Sequence, residues 1–129
     1  MTPAWIDALN WGESGLLPAI IQDARSGDVL MLAWMNRDAL EKTAQTGKTH
    51  FWSRSRQKMW MKGESSGHVQ VVASIHTDCD DDAIVVRVSQ TGGIACHTGR
   101  ASCFYKRLDQ DQWVETAPVL KDPAQIYGE

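Results

Sequence analysis

Long apolar runs are missing from this 129-residue chain, and no stretch approaches the length of a membrane span. The opening Met1-Thr2-Pro3-Ala4-Trp5-Ile6-Asp7 has no basic region followed by an apolar one, so no secretory signal is expected. An excess of positive charge is missing too. Lys and Arg number 13 against 16 Asp and Glu, a net charge of −3, which counts against a chain built to bind nucleic acid or an anionic membrane. There is no repeat, no low-complexity tract and no linker rich in Pro, Gly or Ser. Cysteine is scarce: three residues, an odd number that cannot close into a disulfide framework. A reducing, cytoplasmic setting with free thiols is the expectation. What remains is one domain over residues 1–129, large enough to bury a core without a structural metal.

Tryptophan is the plentiful aromatic, with six residues against two Phe and two Tyr. Trp5, Trp11, Trp34 and Trp113 are expected in a core or interface, whereas Trp52 and Trp60 fall in a basic stretch. The apolar run Pro18 to Asp23, the turn-rich Asp23 to Asp28 and the apolar run Val29 to Trp34 predict a β-hairpin. Asn36 can cap a helix that carries Ala39, Leu40, Thr43 and Ala44 at helical spacing, runs to about Thr46 and stops at Gly47. Further strands are expected over 49–53, 58–62, 68–77, 83–90, 102–108 and 112–116, with an irregular tail from Pro118. The sum is an α+β fold, mainly antiparallel strands with one principal helix.

Asp78, Asp80 and Asp82 recur with period two. In an extended segment they share one face, with Cys79 and Asp81 on the other. Three neighbouring carboxylates repel one another, and a hard cation such as magnesium resolves that repulsion. The alternative is a solvated acidic turn. An EF-hand does not fit, because Ala83 stands where its loop needs Gly and Ser89 where it needs Glu.

Six residues separate Cys96 from Cys103, which is not the tight knuckle of a zinc ribbon. With Cys79 they make three thiolates, and zinc on three protein ligands keeps a fourth position open for water. His97 beside Cys96 is a ligand or an acid/base. Three buried inert cysteines are the competing reading.

Lys48, Arg54, Arg56, Lys58 and Lys62 form a run of cations uninterrupted by any acid, followed by Gly63-Glu64-Ser65-Ser66-Gly67-His68. Hydroxyls, backbone N–H groups and Arg or Lys together suit phosphate, and Trp52 and Trp60 can stack on a base. No Gly-rich P-loop is present, and a solvated basic hairpin is the plain alternative. In an acidic chain a small phosphorylated ligand fits such a run better than a long nucleic-acid backbone.

Trp52-Ser53-Arg54-Ser55-Arg56, Lys62-Gly63-Glu64-Ser65-Ser66-Gly67-His68, Asp78-Cys79-Asp80, Ala95-Cys96-His97-Thr98-Gly99-Arg100 and Ser102-Cys103-Phe104-Tyr105 occur in that order. Together they resemble the phosphoribosyl-AMP cyclohydrolases of histidine biosynthesis, over roughly Leu9 to Leu108, in the form without a second catalytic domain. The resemblance implies hydrolysis of the N1–C6 bond of 1-(5-phosphoribosyl)-AMP by an intertwined homodimer that uses Zn2+ and Mg2+. It implies zinc on Cys96, Cys103 and a partner subunit's Cys79, and magnesium on Asp78, Asp80 and Asp82. Zinc-activated hydroxide is then expected to attack C6, with His97 the candidate for moving the proton. Arg54, Arg56 and Lys62 are the candidate phosphate ligands, and Trp52, Ser65, Ser66 and Arg100 complete the expected substrate contacts. Two other classes compete: a closed zinc module that binds nucleotides or RNA, and a structural dimer with no metal.

Overall fold

The structure, a computed structural model, describes residues 2–127. Strands β1 (Leu17–Asp23) and β2 (Val29–Met35) form the hairpin that the turn residues predict, with Asp23 Oδ2 accepting from the Ser26 N–H at 2.7 Å. Helix α2 (Arg37–Thr46) begins at Asn36, whose side chain accepts the Ala39 N–H at 2.9 Å, and ends where the Gly47 N–H bonds Thr43 O. Both ends lie where the capping residues put them. A short helix, α1 (Ala4–Asp7), precedes the hairpin.

After α2 come β3 (His50–Ser53) and β4 (Lys58–Met61), a two-stranded hairpin, then β5 (Gln70–Thr77) and β6 (Ile84–Gln90). The main sheet has the order β2-β1-β6-β5. Every strand pairing is antiparallel except β1 with β6, so the chain is α+β with mostly antiparallel strands. Leu17, Ala19 and Ile21 of β1 and Ile84, Val86 and Val88 of β6 alternate onto one face, which Ala39 and Leu40 of α2, Phe51 and Trp11 complete as a core.

Several expectations change. Strand formation between 102 and 108 is confined to β7 (Lys106–Asp109), which pairs with β8 (Gln112–Glu115). Residues 102–105 are spent instead on holding β2: Ser102 Oγ donates to Val29 O at 2.7 Å and the Cys103 N–H to Leu30 O at 2.7 Å. The tail from Pro118 is not wholly irregular, since α3 (Pro123–Tyr127) forms within it. Of the tryptophans expected in a core or interface, Trp11 is core, and Trp5 and Trp113 are not core of this chain, being 47% and 69% exposed. The aspartate segment is not extended. It is the turn joining β5 to β6, closed by Asp81 N–H to Asp78 O and opened to a left-handed backbone at Asp81 (φ 62°), a conformation Asp tolerates.

One buried polar side chain ties these parts together. The Gln70 amide accepts from Thr49 Oγ1 at 2.7 Å and donates to Gln90 Oε1 at 2.8 Å and to Met31 Sδ at 3.5 Å. Gln90 in turn donates to His68 O. Gln70→Leu leaves the buried Thr49 hydroxyl without a partner, at about 1–3 kcal/mol, and removes the partner of the half-buried Gln90 Oε1. Urea unfolding should show that loss, and a change below about 0.5 kcal/mol, typical of surface positions, would contradict it.

Candidate active site

The cations are presented by the β3–β4 hairpin and the loop that follows it. At the hairpin turn the Arg56 N–H bonds Ser53 Oγ (3.1 Å) and the Gln57 N–H bonds Ser53 O (2.9 Å). Beyond β4 the loop closes on itself through Gly67 N–H to Gly63 O (2.8 Å) and His68 N–H to Ser66 Oγ (3.1 Å). Gly63 has φ 85°, and a Cβ there would stand 2.5 Å from Val69 N, so this fold-back excludes any larger residue. The result is an open cleft of about 440 Å³ lined by Arg56, Lys58, Lys62, Ser65 and Ser66, with Trp60 against it. Arg54 and Trp52 line the adjoining cleft, which shares Ser53, Ser55 and Trp60 with the first. The Arg54 guanidinium lies 4.6 Å over the Trp34 ring.

Lys62 links the cleft to the sulfurs. Burial pushes its ammonium below the usual lysine range, while Cys103 and Cys96 beside it pull the other way. Cys96 sits on a loop closed by Ala95 N–H to Ala101 O, Cys96 N–H to Arg100 O and Gly99 N–H to Cys96 O, and Cys103 follows it, bonded to Leu30 O of β2. Cys96 is buried and its sulfur accepts from Thr98 Oγ1 at 3.0 Å. Cys103 is exposed as a residue, yet its sulfur end is crowded. That burial, then the charge and hydrogen bond of Cys96, push its thiol up to about 12, with Lys62 opposing. Two thiols this close resist ionising together unless a cation joins them. His97, exposed, follows Cys96 directly.

Cys79 is exposed on the β5–β6 turn. Among the described residues, the only group of three or more possible ligand atoms close enough to share an ion is Asp78, Asp80 and Asp82, within 4.8 Å of one another. One chain therefore brings Cys96 and Cys103 together and leaves Cys79 apart. The three aspartates converge through the turn rather than along a strand. Asp82 is raised to about 6, first by its hydrogen bond with Asp80, then by burial and the charges of Asp80 and Asp78. Asp78 goes the other way. Burial raises it, but the Asp82 N–H, the Asp80 and Asp82 carboxyls and the Ala83 N–H hold it below the usual range.

Arg100 is turned to the C-terminal segment. It bonds Ala117 O (3.0 Å) and Glu115 (3.2 Å) and covers the Tyr105 ring at 4.0 Å. Sequence reasoning does not reach Thr98 as a donor to sulfur, although the Cys-His-Thr-Gly run carries that signal. It also misses Tyr127, which joins the basic cleft only because the tail folds back.

A cationic cleft, a thiol pair sharing a lysine with it and a carboxylate triad are the equipment of a hydrolase acting on a phosphorylated compound. The comparisons agree with that class. The family model described as phosphoribosyl-AMP cyclohydrolase matches residues 31–105. Proteins named phosphoribosyl-AMP cyclohydrolase from Nitrosomonas eutropha and Nitrosospira multiformis are 58% identical over 127 residues (98% of each chain) and 57% identical over 129 residues (100% of this chain, 99% of the relative). One from Cellvibrio japonicus is 58% identical over 123 residues, covering 95% of this chain and 98% of its own. The chain belongs to the phosphoribosyl-AMP cyclohydrolase family and is a hydrolase.

The aspartate triad makes a pH prediction. Asp82 has a folded pKa raised from 3.8 to about 6, so its favourable contribution is complete below 3.8 and is lost as pH rises through about 6. Asp82→Asn should therefore gain stability over wild type as pH rises from 4 to 7 in metal-free protein. Thermal melts at three pH values would show it, and a difference independent of pH would contradict it.

Proposed function

We propose that this protein catalyses the phosphoribosyl-AMP cyclohydrolase step of histidine biosynthesis, with residues 1–129 acting as one cytoplasmic catalytic domain. The substrate's adenine is alkylated at N1, which makes C6 electrophilic. Water adds its oxygen to C6, the C6–N1 bond breaks, N1 takes a proton, and the exocyclic nitrogen remains as the carboxamide. The observation that carries the reading is Lys62. It lines the phosphate-suited cleft and feels the charges of both Cys103 and Cys96, which supports one site for the binding groups and the thiols.

The donor sets fit two metals. The adjacent thiols of Cys96 and Cys103, whose thiolates would repel each other, suit a soft cation, and the clustered Asp78, Asp80 and Asp82 suit a hard one. Cys96 and Cys103 of one subunit with the partner subunit's Cys79 would hold zinc, and the aspartates would hold magnesium. Zinc, when bound, supplies the Lewis acidity that brings a water's pKa toward neutrality. The chain's own groups do the rest. His97, exposed beside Cys96, takes a proton from the attacking water and returns one to N1. Arg56, Lys62, Ser65 and Ser66 hold a phosphate, while Arg54 and Trp52 hold the substrate from the adjoining cleft.

A homodimer is part of the proposal. The sheet face away from the core carries the cross-strand row Leu32, Ile20 and Val85, with Leu32 44% exposed. The β7–β8 hairpin leaves Leu108 and Trp113 mostly in solvent. Apolar surface of this kind favours a second copy over water. Among the described residues no helix is long and apolar enough to cross a membrane.

The test is an absorbance assay for the aminoimidazole carboxamide product with phosphoribosyl-AMP, magnesium and zinc-loaded protein, repeated after chelation. Turnover should vanish with the metal. His97→Ala should lower kcat by about 10²–10⁴-fold with zinc content unchanged. No turnover in folded, zinc-replete protein would refute the reaction, and an unaffected kcat would remove His97 from it.

A further inference from the structure

The family match ends at residue 105, and none of the steps above uses the chain beyond it. The structure nonetheless returns that segment to the site. Glu115 and the Ala117 carbonyl hold the Arg100 guanidinium. The N–H groups of Leu120 and Lys121 both reach Gly99 O, at 2.8 and 3.4 Å. Gly99 is what lets them approach: its φ is 88°, and a Cβ there would collide with the Lys121 carbonyl. The strap is thus fastened to the same tight loop that carries Cys96 and His97. From it, Asp122 starts α3 by accepting the Ala124 N–H on its carboxylate (2.9 Å) and the Gln125 N–H on its carbonyl (2.8 Å). The helix's last described residue, Tyr127, lines the basic cleft with Arg56, Lys58, Lys62 and Ser65.

Tyr127 is 51% exposed, and no described residue accepts from its hydroxyl or stacks on its ring. The cleft around it offers an anion two kinds of ligand, three cations and the serine hydroxyls, which outnumber the one carboxylate there, Glu64, itself turned to the Met61 N–H. A phenol is a neutral donor and, being more acidic than serine, a stronger one toward charged oxygen. A phosphate accepts several such bonds at once.

We propose that Tyr127 is a substrate-binding residue, its hydroxyl donating to a phosphate of the substrate held in the basic cleft, and that the strap at Gly99 sets its position. The proposal rests on the cyclohydrolase reading, because the phosphate is one of those on phosphoribosyl-AMP. It makes the tail part of the binding site rather than an appendage.

Full-length Tyr127→Phe and Tyr127→Ala, metal-loaded like wild type, test it by steady-state kinetics with phosphoribosyl-AMP and by thermal melts. Both variants should raise KM about tenfold, the loss expected for one hydrogen bond to a charged group, with kcat within about twofold and Tm unchanged. Wild-type KM in both variants would overturn the proposal. So would a normal Phe variant beside an impaired Ala variant, which would assign the effect to the ring. A joint fall in kcat and Tm would make the residue structural and overturn it too. Wild-type protein without turnover would refute the reaction itself, and this assignment with it. An active wild type with unaffected variants would refute only the assignment.

Discussion

The buried amide of Gln70 is the contact on which the site's position depends. Through Thr49 it holds the start of β3, through Gln90 the end of β6, and through Gln90 again the His68 carbonyl at the close of the serine-bearing loop. Thr49 then accepts the Lys62 N–H on its own carbonyl. The hairpin that carries the cations is short and has few buried side chains of its own, so a two-stranded unit of this kind needs a neighbour to be stable. A fully satisfied polar network inside the core supplies direction as well as stability, because an amide fits only one arrangement of donors and acceptors.

Charge is the second organising constraint. The fold brings like groups together in two places, thiols at Cys96 and Cys103 and carboxylates at Asp78, Asp80 and Asp82. Each gathering is unfavourable for the ionised groups alone, and it adds to burial in pushing Cys103 up and to the Asp80 hydrogen bond and burial in pushing Asp82 up. The positive charge of Lys62 partly offsets the first, and no cationic side chain contributes to the shifts within the second. Under the proposed function these clusters would be relieved by cations, the soft and hard donor sets suiting different ones.

Much of this was legible in the chain. Asn36 and Gly47 bound a helix by chemistry that acts within a few residues, and the turn at Asp23 to Asp28 does the same for the first hairpin. The aspartates and the cations stand out in the sequence as groupings, and the structure gathers Asp78, Asp80 and Asp82 at one turn and Arg56, Lys58 and Lys62 around one cleft. What escaped is set by tertiary closure. The alternation of Asp78, Asp80 and Asp82 suits a strand, but a reversal between β5 and β6 was needed there, and Asp81 could adopt the backbone it requires. Gln70 looks like a surface residue until β3 and β6 close over it. The partners of Arg100, Glu115 and the Ala117 carbonyl, come from the distant tail, which nothing local to Arg100 announces. Nothing local to Tyr127 announces its place in the cleft.

The central claim is that the thiol pair of one subunit is completed by the partner's Cys79, so that neither subunit alone holds a whole site. In the structure Cys79 stands on an exposed turn, away from the pair that its own chain brings together. Mixing inactive Cys79→Ser with inactive Cys96→Ser, after unfolding and refolding together, tests this directly. In the hybrid dimer one site would combine Cys96 and Cys103 from the first variant with Cys79 from the second. Recovered cyclohydrolase turnover in the mixture, absent from either variant refolded alone, is the expected result. A mixture as inactive as its parts, with hybrid dimers shown to be present, would contradict the shared site.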